Sequence, residues 1–288
     1  MLDYQKLVRA AEGLDPVPIS VSQLVAIVAH DHWAFSDVEQ VISLDQALTG
    51  RLLRIANSAW SASLMPIGTV KDAVIRIGIG PTVSFAVGAC VGPTFRRALP
   101  EYGLSEGQLW RHSVTASLAA EVLAAMSRAE VPAESVSASL LHDVGKLVLA
   151  RFLTPDLLTA LSEARASGER SSMQAEIDVL GVHHGELGGV VARAWNLPPR
   201  VSEAIAHHHA PDQVADVVCD VVALANLVAN SLEAPDATVP DTGDALDGAV
   251  TRLGLAGNYL DRARAHVTRR LEEVLDRYEA RPRMAKAS

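Results

Sequence analysis

The sequence predicts a protein built of helices throughout, and three observations carry that prediction. Apolar residues recur at helical spacing in segment after segment. Residues 1–98 show no strand-type alternation of apolar and polar positions. Hydrophobic residues make up 49% of the 288 but aromatics only 4%, so the core must be built from Ala, Val, Leu and Ile, which suits close helix packing. The length accommodates one large or two ordinary domains, and two are expected. A helical unit over 1–100 precedes a second over 101–280, and residues 281–288 read as a disordered tail.

Composition narrows the function classes. A net charge of -9 and a pI near 5.5 argue against a broad electrostatic footprint for nucleic acid or anionic lipid, although a local basic patch is compatible with them. Cys90 and Cys219 are the two cysteines, too few for a disulfide framework or a cysteine-based zinc site, and both read as small buried hydrophobes. Met1 to Lys6 lack the basic-then-apolar pattern of a signal peptide. No apolar run approaches the roughly 18 residues of a membrane span. A soluble cytoplasmic protein in a reducing compartment is the expectation.

The first half reads as short helices separated by clear punctuation. Leu7 to Gly13 form an amphipathic helix that Val17-Pro18-Ile19-Ser20 breaks. Ser22 is placed to cap a helix through Ala29. His30 and His32 flank Asp31 at its end, two positions apart and so not on one helical face, and read as structural or exposed rather than as ligands. Ser36 with Glu39 makes a capping-box pattern for a helix through Ile42. Asp45 starts the next, over Gln46 to Ala56, with Leu48, Leu52, Leu53 and Ile55 on its apolar side. Asn57-Ser58-Ala59-Trp60 then suggests a turn that satisfies its last carbonyls. After the Pro66–Thr69 loop, Thr69 caps a helix with Val70, Ala73, Val74 and Ile77 on its apolar face. Gly78, Gly80 and Pro81 punctuate, and Val83 to Val91 form a nearly all-apolar helix that must be interior. Nothing here suggests a catalytic cluster, so this half reads as an interaction bundle.

Composition shifts over Pro93 to Gly103, the expected junction between halves. Trp110-Arg111-His112-Ser113 opens a long helix to about Met126. Helices follow around His142 after the Pro132 loop, over Pro155 to Arg165, and over Ser172 to Leu180, with a loop at Gly168 between the last two. Gly181 to Gly189 begin a helix whose glycines allow a neighbour to approach closely, and Trp195-Asn196-Leu197-Pro198-Pro199 ends it. Val201 to Ala206 lead into His207-His208-His209, and Val214 to Leu232 form a strongly apolar helix broken by Asp216, Asp220 and Asn226. Ala234 to Gly248 read as a loop, and Asn258 to about Tyr278 as a charged amphipathic helix.

The chain is organised around Leu140-Leu141-His142-Asp143-Val144-Gly145-Lys146. An imidazole and a carboxylate stand side by side in an apolar helical run, where their burial is costly without a partner. Both could point at one divalent cation. Alternatively Asp143 pairs with Lys146 three residues on and His142 is a hydrogen-bonded core histidine. Seven of the ten histidines lie between positions 112 and 209, each at a helix start, end or turn beside apolar segments. Imidazoles from several helices together with Asp143 could surround one or two cations, and mixed nitrogen and oxygen donors suit Fe, Mn, Zn, Ni or Co better than Mg or Ca.

The order His112, His142-Asp143, His184, His208-His209 resembles that of the HD superfamily of metal-dependent phosphohydrolases. The chain more closely resembles the HDOD family, the HD-related output domain of bacterial signalling proteins, over most of residues 10 to 235. In the first half the likeness rests on Asp45 to Ala59 and on Ile67-Gly68-Thr69-Val70-Lys71-Asp72-Ala73-Val74 with Ile77-Gly78. In the second it rests on Leu109 to Ser113, Leu140 to Lys146, His184-Gly185-Glu186-Leu187-Gly188, Trp195-Asn196-Leu197-Pro198, and Ile205 with His208-His209 and Pro211. The resemblance implies an all-α fold, an N-terminal helical bundle packed on a C-terminal HD-like bundle. It implies metal ligands at His112, His142, Asp143, His184, His208 and His209. Asp143 and Lys146 would be the catalytic pair, with Lys146 able to meet a phosphate. His183 and His207 would be outer or exposed.

Two departures from the active relatives bear on function. Where they carry an Ala-Asp pair on the late helix, this chain has Ala225-Asn226, which costs the site one negative charge and predicts weaker metal retention. Asp216 or Asp220 is a candidate replacement, although Asp220 lies six residues before Asn226 and off its face. The Gly-Tyr-Pro segment of the cyclic-di-GMP phosphodiesterase branch is missing, Ala210-Pro211-Asp212 leading straight on. The resemblance therefore implies a regulatory module with a degenerate metal site, holding one or two divalent ions or none. The alternative is a metal-dependent phosphohydrolase acting on a nucleotide or cyclic dinucleotide. No receiver, helix-turn-helix or diguanylate cyclase segment is recognisable, so other signalling proteins are the expected partners. Membrane and nucleic acid are not expected partners.

Overall fold

In the computed structural model the described residues are 2–30, 32–57, 67–166, 172–233 and 246–279, and they form helices with one isolated antiparallel bridge between Leu99 and Leu104. Asp3 opens α1 (Tyr4–Glu12) by accepting the amides of Gln5 and Lys6. α2 (Ile19–Val28) and α3 (Phe35–Leu44) follow. Asp45 caps α4 (Gln46–Ala56) through the Leu48 amide at 3.0 Å. The side chain of Asn57 donates to the Leu53 carbonyl and pairs with the Ile67 backbone in both directions, so it closes the helix as its polarity suggests. Thr69 caps α5 (Val70–Ile77). Gly78, at φ +92°, then turns the chain by 106° into α6 (Ile79–Phe95), a conformation that any side chain would strain.

The second half comprises α7 (Gln108–Met126), α8 (Glu134–Leu141), the single turn α9 (Lys146–Leu149), α10 (Pro155–Ala166) and α11 (Ser172–Leu180). It continues with α12 (His184–Ala194), α13 (Pro199–Ala206), α14 (Val217–Glu233), α15 (Asp247–Arg252) and α16 (Tyr259–Glu279). α7 lies against α14, α16 and α8, and α6 crosses α8. α12 pairs with α13, while α1, from the opposite end of the sequence, packs on α12 and α9. One connected apolar cluster runs from Leu7 to Leu275. No described helix is by itself long and apolar enough to cross a membrane.

Several sequence expectations are corrected. Ser22 does not cap: α2 begins at Ile19, directly after Pro18, and the Ser22 hydroxyl donates back to the Ile19 carbonyl at 3.0 Å. The Pro18 carbonyl already accepts the amides of Val21 and Ser22, so Ser22 lies inside the first turn of α2 rather than before it. Ser36 is likewise inside α3, whose N-cap is Ala34, without a side-chain bond. The apolar helix is longer than Val83 to Val91 and includes Pro93. That proline cannot donate to the Ala89 carbonyl one turn back, and the Arg51 guanidinium does so instead at 3.1 Å. The run around His142 is not one helix, because α8 ends at Leu141 and residues 142–145 form a turn before α9. α12 starts at His184, three residues later than Gly181. Ser58 to Pro66, the Gly168 loop, Ala234 to residue 245 and the 281–288 tail lie outside the described residues.

Candidate metal centre

Each histidine of the cluster stands where a helix begins or ends. His112 is in the first turns of α7, His142 and Asp143 are in the turn leaving α8, His184 is the first residue of α12, and His208 and His209 follow α13. Glycines bring these ends together. A Cβ at Gly145 would collide with the backbone carbonyl of His184, and one at Gly188 would come within 2.8 Å of Ile205. Gly185 and Gly189 make the same close approach to Ala206, at 2.9 and 2.8 Å. The turn carrying Asp143, the start of α12 and the end of α13 thus meet backbone to backbone.

The six residues singled out in the sequence converge. One group consists of His112, His142 and Asp143, the other of His184, His208 and His209, and within each the donor atoms lie within 4.8 Å of one another. Asp143 joins them: its Oδ2 is 3.5 Å from the Nε2 atoms of both His112 and His142, and its Oδ1 is 3.2 Å from His184 Nε2. His142 and His208 face each other edge to face at 5.0 Å between ring centres, which closes the cluster. Lys146 donates to Asp143 Oδ2 at 2.6 Å, so the simple pairing weighed for this residue also forms. Its ammonium lies 5.9 Å from the centre of the Tyr102 ring.

The rings are oriented from behind. His142 Nδ1 donates to the Ser139 carbonyl at 2.7 Å and His208 Nδ1 to the Ile205 carbonyl at 2.8 Å. His112 Nδ1 meets Glu233 at 3.0 Å and His184 Nδ1 meets Glu176 at 2.7 Å. A ring whose Nδ1 proton is engaged in this way presents the Nε2 lone pair forward, the arrangement that outer partners impose on metal-bound histidine. Two such atoms, on His112 and His142, are only 3.2 Å apart, and those of His184 and His209 are 2.9 Å apart. Lone pairs at these distances repel unless a proton or a cation lies between them. His208 Nε2 is buried with no hydrogen-bond partner. The donor set therefore fits a divalent ion with nitrogen and carboxylate preferences.

Electrostatics point the same way. Burial pushes the His142 ring down to about 4, and burial beside other imidazoles holds His208 and His209 well below their ordinary value. These rings are neutral near pH 7, as ligands must be. Burial alone would raise Asp143, but Lys146 and the flanking histidines hold it well below the usual carboxylate range. Burial would lower His184, yet Glu176 and Asp143 raise it to about 8, so a proton occupies the place between its Nε2, Asp143 and His209 when no cation does.

Two acidic residues of the site were not anticipated. Glu176 is 1% exposed and accepts both the backbone amide and Nδ1 of His184. Glu233 ends α14 and holds His112. The position of Glu176 four residues before Leu180, on the apolar side of α11, was a signal for the first, and the seven-residue interval from Asn226, two helical turns on one face, was a signal for the second. Asn226 does face the cluster, its Oδ1 3.2 Å from His112 Nε2. Neither proposed replacement does. Asp216 pairs with Arg200 at 2.9 Å, and Asp220 pairs with Arg252 at 2.6 Å, because both lie on other faces of the α14 region. His183 caps α12 half-buried, its ring centre 6.4 Å from that of His209, and His207 binds Gln213 and Glu203 away from the site. His30 and His32 are exposed.

Comparison with known proteins gives this arrangement a family. The chain is 29% identical over 235 residues to an uncharacterised protein of Treponema pallidum (strain Nichols), covering 77% of this chain but only 44% of that protein. The chain thus spans less than half the length of that curated relative. Among solved structures, an HDOD domain protein of unknown function from Geobacter sulfurreducens superposes with a TM-score of 0.68 at 20% identity, over 96% of this chain and 98% of that one. A Marinobacter aquaeolei protein provisionally named for signal transduction gives 0.68 at 20% identity, over 97% and 61%. A Shewanella amazonensis protein provisionally named a metal-dependent phosphohydrolase gives 0.54 at 20% identity, over 93% and 96%. At these identities the likeness establishes the fold. The HDOD domain model matches residues 14–211, more than half of the sequence, and the chain belongs to the HDOD family.

Proposed function

We propose that this HDOD chain is a signalling module whose histidine cluster holds divalent metal and serves regulation rather than rapid hydrolysis. The observation that carries the reading is the placement of neutral Asn226 against His112, where a carboxylate would supply charge to hold a metal and activate water. A bound cation in such a site would supply Lewis-acid polarisation of a phosphoryl oxygen. The chain's own part is to orient the rings through Glu176, Glu233 and two backbone carbonyls, and to offer Lys146 to a phosphate-bearing ligand such as a nucleotide or cyclic dinucleotide. Output would pass to other signalling proteins through the helical surface.

The second reading, a phosphohydrolase, is favoured by the convergence of all six ligand-type residues on one centre. One experiment separates them. Protein purified without chelator is analysed for metal and assayed on a generic phosphodiester with added Mn. Bound metal with negligible turnover supports the regulatory reading. Turnover that Asp143→Ala abolishes overturns it in favour of the enzyme, and absence of metal under every loading condition overturns both.

A further inference from the structure

We infer that the cluster takes two cations with unequal affinity, retaining one among His184, His208 and His209, exchanging the other between His112 and His142, and using the Lys146 ammonium as competitor for the second. The inference rests on the proposed metal centre. Three independent observations carry it.

The donor sets differ in strength. Each half has one oxygen of Asp143, but the His184 half adds three imidazoles to Oδ1, whereas the His112 half adds two imidazoles and the neutral Asn226 amide oxygen, a weaker donor, to Oδ2. The orienting groups differ in rigidity. Glu176, 1% exposed, grips His184 at two points, while Glu233, 44% exposed at its side chain, makes a single bond to His112 from the last residue of α14. The two oxygens of Asp143 also differ in what already holds them. Lys146 Nζ is 2.6 Å from Oδ2, the oxygen facing His112 and His142, and Oδ1 is left to His184. A cation entering the His112 half must therefore take Oδ2 from a positive charge, and a cation entering the other half need not.

Lys146 keeps 21% of its side chain exposed, so the displaced ammonium has solvent to move into. Once released, it is available to an anion. Occupancy of the second cation position and binding of a phosphate-bearing ligand thus favour each other, each by the same factor.

The test is titration of the chelator-stripped full chain with Co(II), followed by calorimetry and by the visible Co(II) spectrum. The wild type should show two steps separated by at least tenfold. Lys146→Met, which keeps the stem and removes the charge, should tighten the weaker step about tenfold, corresponding to a modest Coulombic term at a partly exposed site. Glu176→Gln should weaken the tight step about 10- to 100-fold and Glu233→Gln only the other. Two equal steps overturn the inference, as does a Lys146→Met chain whose weaker step is unchanged or weaker still. Should Glu176→Gln fail to fold by circular dichroism, Lys146→Met and Glu233→Gln decide the matter from partly exposed positions. No Co(II) uptake at all would instead overturn the metal centre itself.

Discussion

At the scale of single residues the centre turns on Asp143, 1% exposed and shared by both halves. Its replacement by Asn keeps the shape but removes the one carboxylate that, among the described residues, faces both candidate ligand groups. Metal affinity should fall by at least ~100-fold in both titration steps, beyond what loss of an outer partner costs. Elemental analysis after dialysis checks this, and retention of one ion per chain would contradict it. The histidines also predict how the chelator-stripped protein responds to pH. His142, lowered from 6.5 to about 4, and His208 and His209, also lowered, are neutral in the folded chain, so their contribution is present above 6.5 and lost as pH falls toward 4. His184, raised to about 8, acts in the opposite sense: its contribution is present below 6.5 and lost as pH rises through 8. The melting temperature of the stripped protein should therefore drop steeply below 6.5 and more gently toward 8, and a flat profile from 4 to 6.5 would refute this.

At the scale of elements, helix ends decide the site. Asp45 and Thr69 were legible as caps because a short polar side chain directly preceded an apolar face. Ser22 and Ser36 had the same chemistry but lost to proline and to an earlier start. The turn over 142–145 was illegible because Gly145 and Lys146 sit in an apolar rhythm that continues into α9. Only the crossing of α12 against that turn shows why glycine is there. Gly145→Ala should destabilise by about 3 kcal/mol or more, since the methyl meets backbone rather than a movable side chain, and a melt within 2 °C of wild type would contradict this. The aspartates of α14 were ambiguous for the opposite reason: periodicity placed Asp220 off the face of Asn226 but could not name its partner on α15, twenty-six residues beyond Asn226. Asp220 is fully buried against Arg252. Asp220→Ala should cost about 2 kcal/mol, because the guanidinium loses both Asp220 oxygens and keeps only the half-exposed Asp212 as partner, with metal content unchanged in elemental analysis.

At the scale of the whole molecule, the candidate ligands come from α7, the turn after α8, α12 and the turn after α13, while Lys146 begins α9, on which α1 packs. That these six residues would meet was legible from their order along the chain, which resembles that of the HD superfamily, and not from helix-end placement alone, since His183 and His207 share that placement and stand outside the two groups. The sharing of Asp143 and the backing by Glu176 and Glu233 were not, since those depend on crossings that no local spacing encodes. A cation bound here is bound by the folded state alone, because the unfolded chain scatters its ligands over nearly a hundred positions. It should stabilise by about 2.7 kcal/mol at a free concentration a hundredfold above Kd, raising the melting temperature by roughly 5 to 10 °C in a chain of this size. The shift should move the entire transition, because the apolar cluster is continuous from Leu7 to Leu275 and α1 and α6 both rest on helices of the second half. Calorimetry with and without Mn reads both quantities. Two transitions, of which only one moves with metal, would show that the segments before and after residue 100 melt as separate units and that the histidine centre stabilises only the latter.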